Sequence, residues 1–384
     1  MRKITDEKPL VMLSANTAWN VHSRSRLLKA IRDQGWELVT LAADDEYSSR
    51  IRDELSISFI PLPMKGDGTN LREDAALLLK YLRLYRSMKP RCVIHLNNKP
   101  NIYGTLAASL LGIESISNVT GLGIVAEKSP FVKAAVYSLY RLAFFSRRAF
   151  VFFQNADDRS FFLQKRIVSA VRTGLLPGSG VDVERFSPPD RKVKPTDTPC
   201  RFLFSGRLLI SKGILDYLEA AKRVKTLYPH THFTIIGQHD TANPIYAPES
   251  VLVEAVNRDV VEYKGMVSDV RSEIGNADCV VLPSRYREGV PRALLEAAAM
   301  GKPLIVADSI GTREPVEHGN NGFLVPPGDV DGLTEAIRRF IELPAEAKNA
   351  MGASSRRLAV ERFSDSSVIN KYIARLAQTI SARK

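Results

Sequence analysis

The sequence predicts two doubly wound α/β domains, each built on a mostly parallel sheet. Short apolar runs alternate with amphipathic stretches along most of the chain, which is typical of repeated βα units. Residues 186–199 hold four prolines and several charges and interrupt this alternation, which then starts again. A chain of 384 residues is long enough for two domains with sizeable cores. We therefore predict domains at 1–185 and 200–364, joined by a linker at 186–199.

In the first domain, short apolar runs predict strands, and apolar residues at helical spacing predict helices. The predicted strands are 10–14, 37–42, 57–61, 90–96, 115–119 and 149–153. The predicted helices are 24–34, 74–88, 101–111 and 132–146. Two of these helices stop at a glycine, Gly35 and Gly112, which is a common residue just past a helix end.

The second domain repeats the pattern. Its predicted strands are 201–205, 233–237, 261–264, 279–282, 304–307 and 322–325, and a terminal helix is predicted at 365–381. Doubly wound sheets bind ligands outside the carboxyl ends of their strands. We therefore expect the two domains to face each other across a ligand cleft.

Composition excludes several classes of protein. With 45% hydrophobic and 25% charged residues, the chain is neither disordered nor membrane-spanning, and no apolar run has the length of a transmembrane helix. The first residues lack the apolar region of a signal peptide. The three cysteines, Cys92, Cys200 and Cys279, are far apart and lack metal-ligand spacing, which favours a reducing cytoplasm. Cys92 and Cys279 lie in apolar runs, so we expect these two to be buried thiols.

The positive charge is concentrated in one region. The net charge is +12, and residues 80–172 contain 15 Lys and Arg against 4 Asp and Glu. An excess of this size indicates an anionic partner, which is a nucleic acid, a phospholipid surface or a lipid diphosphate. The alternative is a basic face that serves only solubility.

Two glutamates follow the apolar run 279–282. Glu288 lies in the predicted loop after this strand, and Glu296 lies in the helix that Pro291 opens. Two acceptor-only carboxylates held apart in this way suit a ligand with many hydroxyl groups, such as a sugar or a ribose. The alternative is an acidic loop residue and an unrelated glutamate on the helix surface.

A second strand-to-helix loop carries cations. Arg207 and Lys212 lie beside Gly206 and Gly213, and glycine lets the backbone come close to a ligand. Two cations at such a loop suit a diphosphate, although the spacing is neither that of a Walker loop nor G-x-G-x-x-G. Basic residues without a ligand are also common in βα loops.

These segments resemble the retaining GT-B glycosyltransferases of the family often called GT4. The hallmarks of that family are Gly-Arg…Lys-Gly, Glu-x7-Glu and a later glycine-rich stretch that ends in Asn-Gly. Here they read Gly206-Arg…Lys212-Gly, Glu288…Glu296 and Ser309-Ile-Gly-Thr-Arg-Glu-Pro-Val-Glu-His-Gly-Asn-Asn-Gly. The resemblance is close over residues 200–340 and implies the GT-B fold, with the helix at 365–384 crossing back to the first domain.

The resemblance also implies roles. Arg207, Lys212 and Glu288 are the expected catalytic residues. The expected donor-binding residues are Gly206, Arg207, Lys212, Gly265, Met266, Val267, Glu288, Gly289, Val290 and Glu296. Among them, Glu296 takes the ribose and residues 265–267 hold the base. No cofactor or metal is expected, and Asp329 in the sequence Asp329-Val-Asp331 is predicted to cap a helix instead.

The N-terminal half resembles the subset of that family which extends sugars linked to undecaprenyl diphosphate, for capsule, O-antigen or protein glycans. The similarity lies in His95-Leu-Asn-Asn-Lys-Pro-Asn-Ile-Tyr-Gly104 and Asn118-Val-Thr-Gly-Leu-Gly123. The expected acceptor-binding residues are His22, Arg24, His95, Lys99, Asn101, Thr120, Gly121 and Gly123. A purely structural role for His95 is an equal alternative. The loop around His22 lacks the glycine pair common in the family.

Residues 128–148 interleave aromatic and basic side chains. This composition suits a helix on an anionic membrane surface, whereas the alternative is that the aromatics pack on the sheet. With the resemblance, it leads us to expect a cytoplasmic enzyme bound peripherally to the inner face of the plasma membrane.

The predicted function is transfer of a hexose or N-acetylhexosamine, with retention, from a nucleotide sugar to a sugar on a lipid diphosphate. UDP is the expected nucleotide. The alternatives are an epimerase or a phosphorylase on a similar frame, or a nucleic-acid-binding protein that uses the basic region; no nucleic-acid module is recognisable and none is expected as a partner.

Overall fold

The chain forms two compact units. The computed structural model describes residues 9–64, 70–123, 125, 129–189 and 199–381. The first unit contains Met1–Leu176 and Ser367–Lys384, and the second contains Pro177–Ser366. Each unit is built on one parallel sheet with helices on both faces, which confirms the predicted pair of doubly wound domains.

The sheet of the first unit has seven parallel strands in the order β3-β2-β1-β4-β5-β6-β7. The strands are β1 (Leu10–Thr17), β2 (Glu37–Ala43), β3 (Ser58–Pro61), β4 (Cys92–Leu96), β5 (Glu114–Val119), β6 (Ala149–Phe153) and β7 (Thr173–Leu175). The helices are α1 (Ala18–His22), α2 (Ser25–Asp33), α3 (Tyr47–Asp53), α4 (Leu71–Met88), α5 (Thr105–Leu110), α6 (Pro130–Ala143) and α7 (Ala156–Gln164). A π-helical turn, Pro100–Gly104, leads into α5.

The strands of this sheet are apolar because both faces are covered. Val11 and Leu13 of β1 pack into the core on one face, and Met12 between them packs into the core on the other. Successive side chains of a strand point to opposite faces, so a strand buried on both sides needs a continuous apolar run. This is the run that the sequence displays at residues 10–13.

The sheet of the second unit has six parallel strands in the order β10-β9-β8-β11-β12-β13. The strands are β8 (Arg201–Ser205), β9 (His232–Ile236), β10 (Glu262–Tyr263), β11 (Cys279–Leu282), β12 (Leu304–Ala307) and β13 (Gly322–Val325). The helices are α8 (Ile214–Leu227), α9 (Glu249–Asn257), α10 (Arg271–Asn276), α11 (Arg292–Ala299), α12 (Val330–Glu342) and α13 (Ala345–Arg362). A short 3₁₀ turn, Ile210–Lys212, precedes α8.

The terminal helix α14 (Asp365–Ser381) has the bounds predicted for it, and all but its first two residues belong to the first unit. Val368, Tyr372 and Leu376 lie four residues apart and so share one face of the helix. All three are buried in a core of the first unit, together with Val11 and Leu13. This apolar stripe explains why the end of the chain groups with the first unit.

The boundary between the two compact units lies earlier in the chain than the predicted domain boundary. The division lies after Leu176, whereas the predicted first domain extended to residue 185. Val181, Val183 and Phe186 pack into the core of the second unit, so the segment before the proline-rich stretch belongs there. Prolines and charges mark exposed chain, but they do not reveal which core the flanking apolar residues enter.

Some elements of the first unit were not predicted. The helices α1 and α3 are short, and the three-residue edge strand β7 contains Gly174. Elements of this length show too few periods of an apolar pattern to be recognised.

Candidate functional site

The strand order of the second sheet reverses between β8 and β11, and such a reversal is where doubly wound sheets bind ligands. The loop after β8, residues 206–213, is here called the lysine loop, and the loop after β11, residues 283–291, the glutamate loop. The two loops meet: the Nζ atom of Lys212 lies 3.0 Å from Oε2 of Glu288. The structure thus brings together two predicted site residues that are 76 positions apart.

The ion pair is largely removed from water. The side chains of Lys212 and Glu288 are 12% and 14% exposed. The hydroxyl of Ser284 donates to Oε1 of Glu288 at 3.2 Å, so both carboxylate oxygens have a partner. An ion pair in these surroundings holds its geometry better than a pair on the open surface, where water screens and side chains move.

A glycine at position 213 is required for the two loops to meet. Gly213 has φ +75°, in the left-handed region, and a Cβ there would lie 2.2 Å from the carbonyl oxygen of Pro283. Any other side chain would push the lysine loop away from the glutamate loop. The glycine that follows the lysine therefore has a packing role as well as a conformational one.

The second cation is exposed and available. Arg207 lies at the start of the lysine loop, and its side chain has no hydrogen-bonding partner among the described residues. A Cβ at Gly206 would lie 3.9 Å from Nζ of Lys212, so the loop folds back to bring the ammonium group near its own start. The loop can therefore offer two cations to an anionic ligand.

Glu296 lies on α11 and is 13% exposed at its side chain. Arg292, one turn earlier, donates to Oε1 of Glu296 at 3.3 Å. Burial raises the pKa of the Glu296 carboxyl, and the charge of Arg292 opposes that rise. The structure thus gives Glu296 a partner of its own, distinct from the Lys212–Glu288 pair.

The residues predicted to hold a nucleobase follow β10. The amide of Gly237 donates to the carbonyl oxygen of Gly265 at 2.8 Å, which holds the segment 265–267 against the end of β9. Met266 is 69% exposed, and Val267 is partly buried against the core. An exposed thioether beside a fixed backbone offers a soft apolar surface to a planar ring.

The third family motif, residues 309–322, packs behind the glutamate loop. Gly311 has φ +89°, and a Cβ there would lie 1.9 Å from the carbonyl oxygen of Gly289 and 2.4 Å from that of Glu288. The buried amide of Asn321 accepts from the backbone of Glu317 at 2.7 Å and donates to the carbonyl of Pro315 at 2.9 Å. The motif thus shapes the backbone behind Glu288, Gly289 and the buried Val290.

Asp329 caps α12. Its side chain accepts from the backbone amide of Gly332 at 2.8 Å, which confirms the interpretation of the Asp-x-Asp sequence as a helix start.

In the first unit the strand order reverses between β1 and β4, and asparagines cluster where these strands and β5 end. The backbone amide of Asn16 donates to the side chain of Asn97 at 3.3 Å. The amide group of Asn101 donates to the carbonyl of Asn118 at 2.8 Å, and that of Asn118 donates to the hydroxyl of Tyr372 at 2.8 Å. A network of amides thus connects β1, β4, β5 and α14 at this edge.

Three oxygens of this network have no partner. The side-chain Oδ1 atoms of Asn16, Asn101 and Asn118 are buried and receive no hydrogen bond from the described residues. Buried polar atoms in folded proteins nearly always have a protein or water partner. These three acceptors therefore mark a place where ordered water or a ligand donates hydrogen bonds.

His95 occupies an interior position. The ring is fully buried, with Nε2 at 2.8 Å from the hydroxyl of Tyr85 and Nδ1 at 2.9 Å from that of Thr105. Burial lowers the pKa of His95 to about 3. Both nitrogens are occupied and no atom reaches the surface, so we leave His95 out of the acceptor site proposed below.

Lys99 is also buried. Its Nζ lies 2.7 Å from Oδ1 of Asp74, and the hydroxyl of Tyr103 donates to the other carboxylate oxygen at 2.9 Å. The position of a lysine in a strand-to-helix loop gave no sign of this internal partner, which is 25 residues earlier in the chain. Lys99 is therefore left out of the proposed acceptor site as well.

Two other predicted acceptor residues, His22 and Arg24, are half-buried. His22 ends α1, its ring lies tilted against that of Tyr47 with centroids 5.2 Å apart, and its Nε2 lies 3.8 Å from Glu54. Arg24 donates to the carbonyl of Asn20 at 2.8 Å. Burial raises the pKa of the Tyr372 hydroxyl to about 12, and the charge of Arg24 opposes that rise.

The turn after β5 supplies the last three predicted residues. Thr120 is half-buried and Gly121 and Gly123 are buried; Gly121 has φ +106°. Residues 124 and 126–128, which follow, lie outside the described residues.

The aromatic side chains of residues 129–148 differ in burial. Tyr140 and Phe144 are fully buried in the core, whereas Phe131 is 89% and Phe145 is 81% exposed. On α6 the exposed residues Phe131, Ala135, Ser138 and Leu142 recur at the spacing of one helix face, and the exposed Phe145 follows two residues after the helix ends. We call these five residues the outer stripe of α6. Among the described residues, none of the helices is apolar and long enough to cross a bilayer.

Comparison with known proteins adds independent information. The family described as Glycosyl transferases group 1 matches residues 187–358, the segment that contains the lysine and glutamate loops. The N,N'-diacetylbacillosaminyl-diphospho-undecaprenol alpha-1,3-N-acetylgalactosaminyltransferase of Campylobacter jejuni is 25% identical over 84% of this chain and 86% of its own length.

Two further matches span most of the chain. The UDP-Gal:alpha-D-GlcNAc-diphosphoundecaprenol alpha-1,3-galactosyltransferase of Escherichia coli is 27% identical over 81% of each chain. Sucrose-phosphate synthase of Thermosynechococcus elongatus superposes with a TM-score of 0.78 at 18% identity, covering 98% of this chain and 100% of that one. At that identity the superposition establishes the fold alone.

Proposed function

This chain is a glycosyltransferase with a glycosyl transferases group 1 domain and the GT-B fold, and we propose that it extends a sugar carried on a lipid diphosphate. The donor is a nucleotide sugar, UDP-linked, and the group moved is a hexose or an N-acetylhexosamine. The new bond keeps the anomeric configuration of the donor.

The observation that carries the proposal is the contact between Lys212 and Glu288 at the strand-order reversal. Lys212 supplies the positive charge that a diphosphate needs, and Glu288 supplies the carboxylate that hydroxyl groups prefer. In the free protein each is the other's partner. A nucleotide sugar offers both of them new partners at once, since its diphosphate and its sugar are covalently joined.

Electrostatic stabilisation of the leaving group supplies the catalysis. The bond between C1 of the sugar and the diphosphate oxygen breaks, and its electron pair stays with that oxygen. Lys212 and Arg207 neutralise the charge that develops there, which is usually the largest catalytic term. The acceptor hydroxyl forms its bond to C1 on the face that the diphosphate leaves and passes its proton to the departing phosphate oxygen. Glu288 holds the sugar hydroxyls during this exchange.

The rest of the donor lies along the same edge. Glu296 accepts hydrogen bonds from the ribose hydroxyls, and the backbone at Gly289 and Val290 donates to the phosphates near the start of α11. The segment 265–267 holds the base. The name of the Escherichia coli relative includes UDP-Gal, which supports a UDP-linked donor.

The acceptor binds at the carboxyl edge of the first unit. Both curated relatives are named for acceptors that carry a sugar on diphosphoundecaprenol. Arg24 is the cation placed to meet the diphosphate, with His22 and the turn at Thr120, Gly121 and Gly123 beside it. The unpartnered oxygens near Asn101 attract hydrogen-bond donors and repel phosphate oxygens, so they favour the sugar of the acceptor.

The outer stripe of α6 holds the protein to the membrane that carries the acceptor. Phe131, Leu142 and Phe145 are exposed apolar side chains in a region with a large excess of cations. A groove of about 610 Å³ beside Phe145 is lined by Arg147, Arg172 and small or apolar residues, without an acid. This combination suits the headgroups and acyl chains of an anionic phospholipid surface on the cytoplasmic side.

A donor screen tests the proposed function. Purified protein is mixed with a panel of nucleotide sugars and a membrane extract that contains lipid-linked saccharides, and the released nucleotide and extended lipid are measured. We expect one UDP-sugar to be consumed with matching extension of the lipid-linked saccharide, and Lys212→Ala to abolish both signals.

Two outcomes would contradict the proposal. A donor that is converted to its epimer without extension of a lipid would favour an epimerase. No turnover of any nucleotide sugar, together with tight binding of oligonucleotides that weakens steeply with salt, would favour a nucleic-acid-binding protein.

A further inference from the structure

Arg285 of the glutamate loop binds the start of α8, just after the lysine loop, although it is not one of the residues assigned to the ligand. Its guanidinium forms three hydrogen bonds with the carboxylate of Asp216: Nη2 lies 2.6 Å from Oδ1 and 2.8 Å from Oδ2, and Nε lies 3.2 Å from Oδ2. This planar, bidentate pairing fixes orientation as well as distance.

The two partners belong to different segments of the site, one to a helix and one to a loop. Asp216 lies in the first turn of α8, immediately after the lysine loop, and its side chain is only 9% exposed. Arg285 lies in the glutamate loop, three residues before Glu288, and its side chain is 51% exposed. The backbone amide of Arg285 also donates to the carbonyl of Ser211 at 2.9 Å, next to Lys212.

Arg285 reaches a third loop as well. A Cβ at Gly328, in the turn after β13, would lie 2.9 Å from the central guanidinium carbon of Arg285. The arginine therefore lies flat over this glycine while it binds Asp216. Arg285 thus connects three segments: its side chain binds Asp216 of α8 and covers Gly328, and its backbone amide bonds to the lysine loop.

We propose that the Asp216–Arg285 pair is a positioning device that sets the place of Lys212 relative to Glu288 in the reaction. The inference rests on the proposed function, because it assumes that Lys212 and Glu288 act on the donor. When the donor separates these two residues, their own contact no longer holds the loops together. The Asp216–Arg285 pair, together with the Gly213 packing, then keeps the cation and the carboxylate at the spacing of a diphosphate and its sugar.

The pair is assigned a positioning role because its atoms are already engaged with each other. Asp216 is buried under three hydrogen bonds from Arg285, so its carboxylate has little surface to offer a ligand. Small displacements of a catalytic group reduce turnover strongly, because the reacting atoms must be held within a narrow range of distance.

Kinetics of four variants test this inference: Arg285→Ala, Arg285→Lys, Asp216→Asn and the double variant Asp216→Asn with Arg285→Ala. Donor-binding sites are counted by calorimetry with UDP, so that kcat is expressed per folded, binding-competent molecule. Arg338→Ala is the matched control, since Arg338 forms an ion pair with Glu335 on the exposed surface of α12.

Arg285→Ala and Asp216→Asn should each lower kcat by roughly tenfold to a hundredfold, and lower the affinity for UDP much less. The double variant should be no slower than the slower single variant, because each change removes the same contact. Arg285→Lys should recover part of the rate, since lysine restores the charge but not the bidentate geometry. Arg338→Ala should turn over at the wild-type rate.

The inference is overturned if the variants melt at a lower temperature while kcat per binding site stays within about twofold of wild type, which is the pattern of a purely stabilising contact. Additive losses in the double variant would also overturn it. Lys212→Ala is assayed alongside to separate the two proposals. If Lys212→Ala keeps full turnover, the proposed donor site is wrong; if it loses turnover and the Arg285 variants do not, only the positioning role is wrong.

Discussion

The chemistry proposed for this protein depends on single side chains at the ends of two strands. Lys212 and Glu288 contact each other at 3.0 Å, and the hydroxyl of Ser284 holds the second carboxylate oxygen. Because both side chains are largely buried, either one left alone would be an unpaired charge with little water to solvate it. We propose that a ligand with both a diphosphate and hydroxyl groups takes over these partners in the complex.

Lys212→Ala should lower kcat by roughly a hundredfold or more, since it removes a cation from the leaving diphosphate. Lys212→Arg should retain more activity than the alanine variant because the charge is kept. Release of nucleotide under saturating donor is the measurement, and the exposed Lys222 on α8, replaced by alanine, is the control. Turnover of Lys212→Ala equal to wild type would remove Lys212 from the catalytic set.

The buried imidazole of His95 should make stability depend on pH. Its pKa in the folded protein is about 3, against an ordinary value of 6.5, so the unfolded chain binds a proton in this range and the folded protein does not. The free energy of unfolding contributed by His95 is therefore intact above pH 6.5 and falls as the pH drops toward 3. The slope is up to about 1.4 kcal/mol per pH unit.

Urea unfolding of wild type and His95→Gln at pH 7, 6 and 5 measures this contribution. The glutamine variant should be less stable at pH 7 but should lose less stability on acidification, because it has no proton to gain. Parallel loss of stability in the two proteins would assign the pH dependence to other groups.

Among the elements, α6 has one face in the core and one exposed face. Tyr140 and Phe144 fix it to the core, and the outer stripe leaves Phe131, Leu142 and Phe145 facing away from the core. The helix contains aromatics at positions of both faces, so composition alone left membrane binding and core packing equally open. The observed burial shows which aromatics pack in the core, and membrane binding by the exposed ones stays a prediction.

Replacing Phe131 and Phe145 with serine should weaken binding to anionic vesicles by about tenfold, because two exposed apolar side chains no longer enter the lipid. Sedimentation with vesicles that contain phosphatidylglycerol measures the effect, and phosphatidylcholine vesicles serve as the uncharged reference. Leu79→Ser is the matched control, since Leu79 is 52% exposed on α4. Unchanged binding of the double variant would show that the outer stripe is not the docking surface.

The strands were predicted well because both sheets are covered on both faces. Four strands of the second sheet, β8, β11, β12 and β13, have the predicted bounds, and β6 has them in the first. Short or edge elements were missed, since β7 and the helices α1 and α3 carry too little apolar pattern. The helix predicted at 101–111 begins as a π-helical turn, and Gly104 there packs directly against the ring of His95.

At the scale of the whole molecule, the two units have different charge and different proposed ligands. Most of the basic excess lies in residues 80–172, which belong to the first unit, whereas the lysine and glutamate loops belong to the second. We propose that this charge attracts a lipid surface and a lipid diphosphate to the first unit. In the same proposal, the loops at the strand-order reversal of the second unit bind the nucleotide.

Hydrogen exchange with and without UDP tests this division. UDP should slow exchange in the lysine loop, the glutamate loop and residues 263–267, because bound ligand restricts opening of the segments that contact it. The strands β1 to β5 of the first unit provide the internal reference and should exchange at the same rate in both samples. Slower exchange in the first unit alone would show that the nucleotide binds there and not in the second unit, which would contradict the proposed donor site.

The sequence alone was sufficient to predict the fold class and to locate the lysine and glutamate loops, because both are recorded in local patterns. Apolar runs reveal strands that are covered on both sides, and Gly206-Arg…Lys212-Gly and Glu288…Glu296 are short motifs that lie next to such runs. Only the tertiary structure decided which side chains meet. Asp216 and Arg285 are 69 residues apart, and His95 and Lys99 resembled ligand-binding residues until their internal partners were known. An apolar run or a short motif is visible within one segment of the chain. Contacts between distant residues depend on the order of the strands in the sheet, and no single segment contains that information.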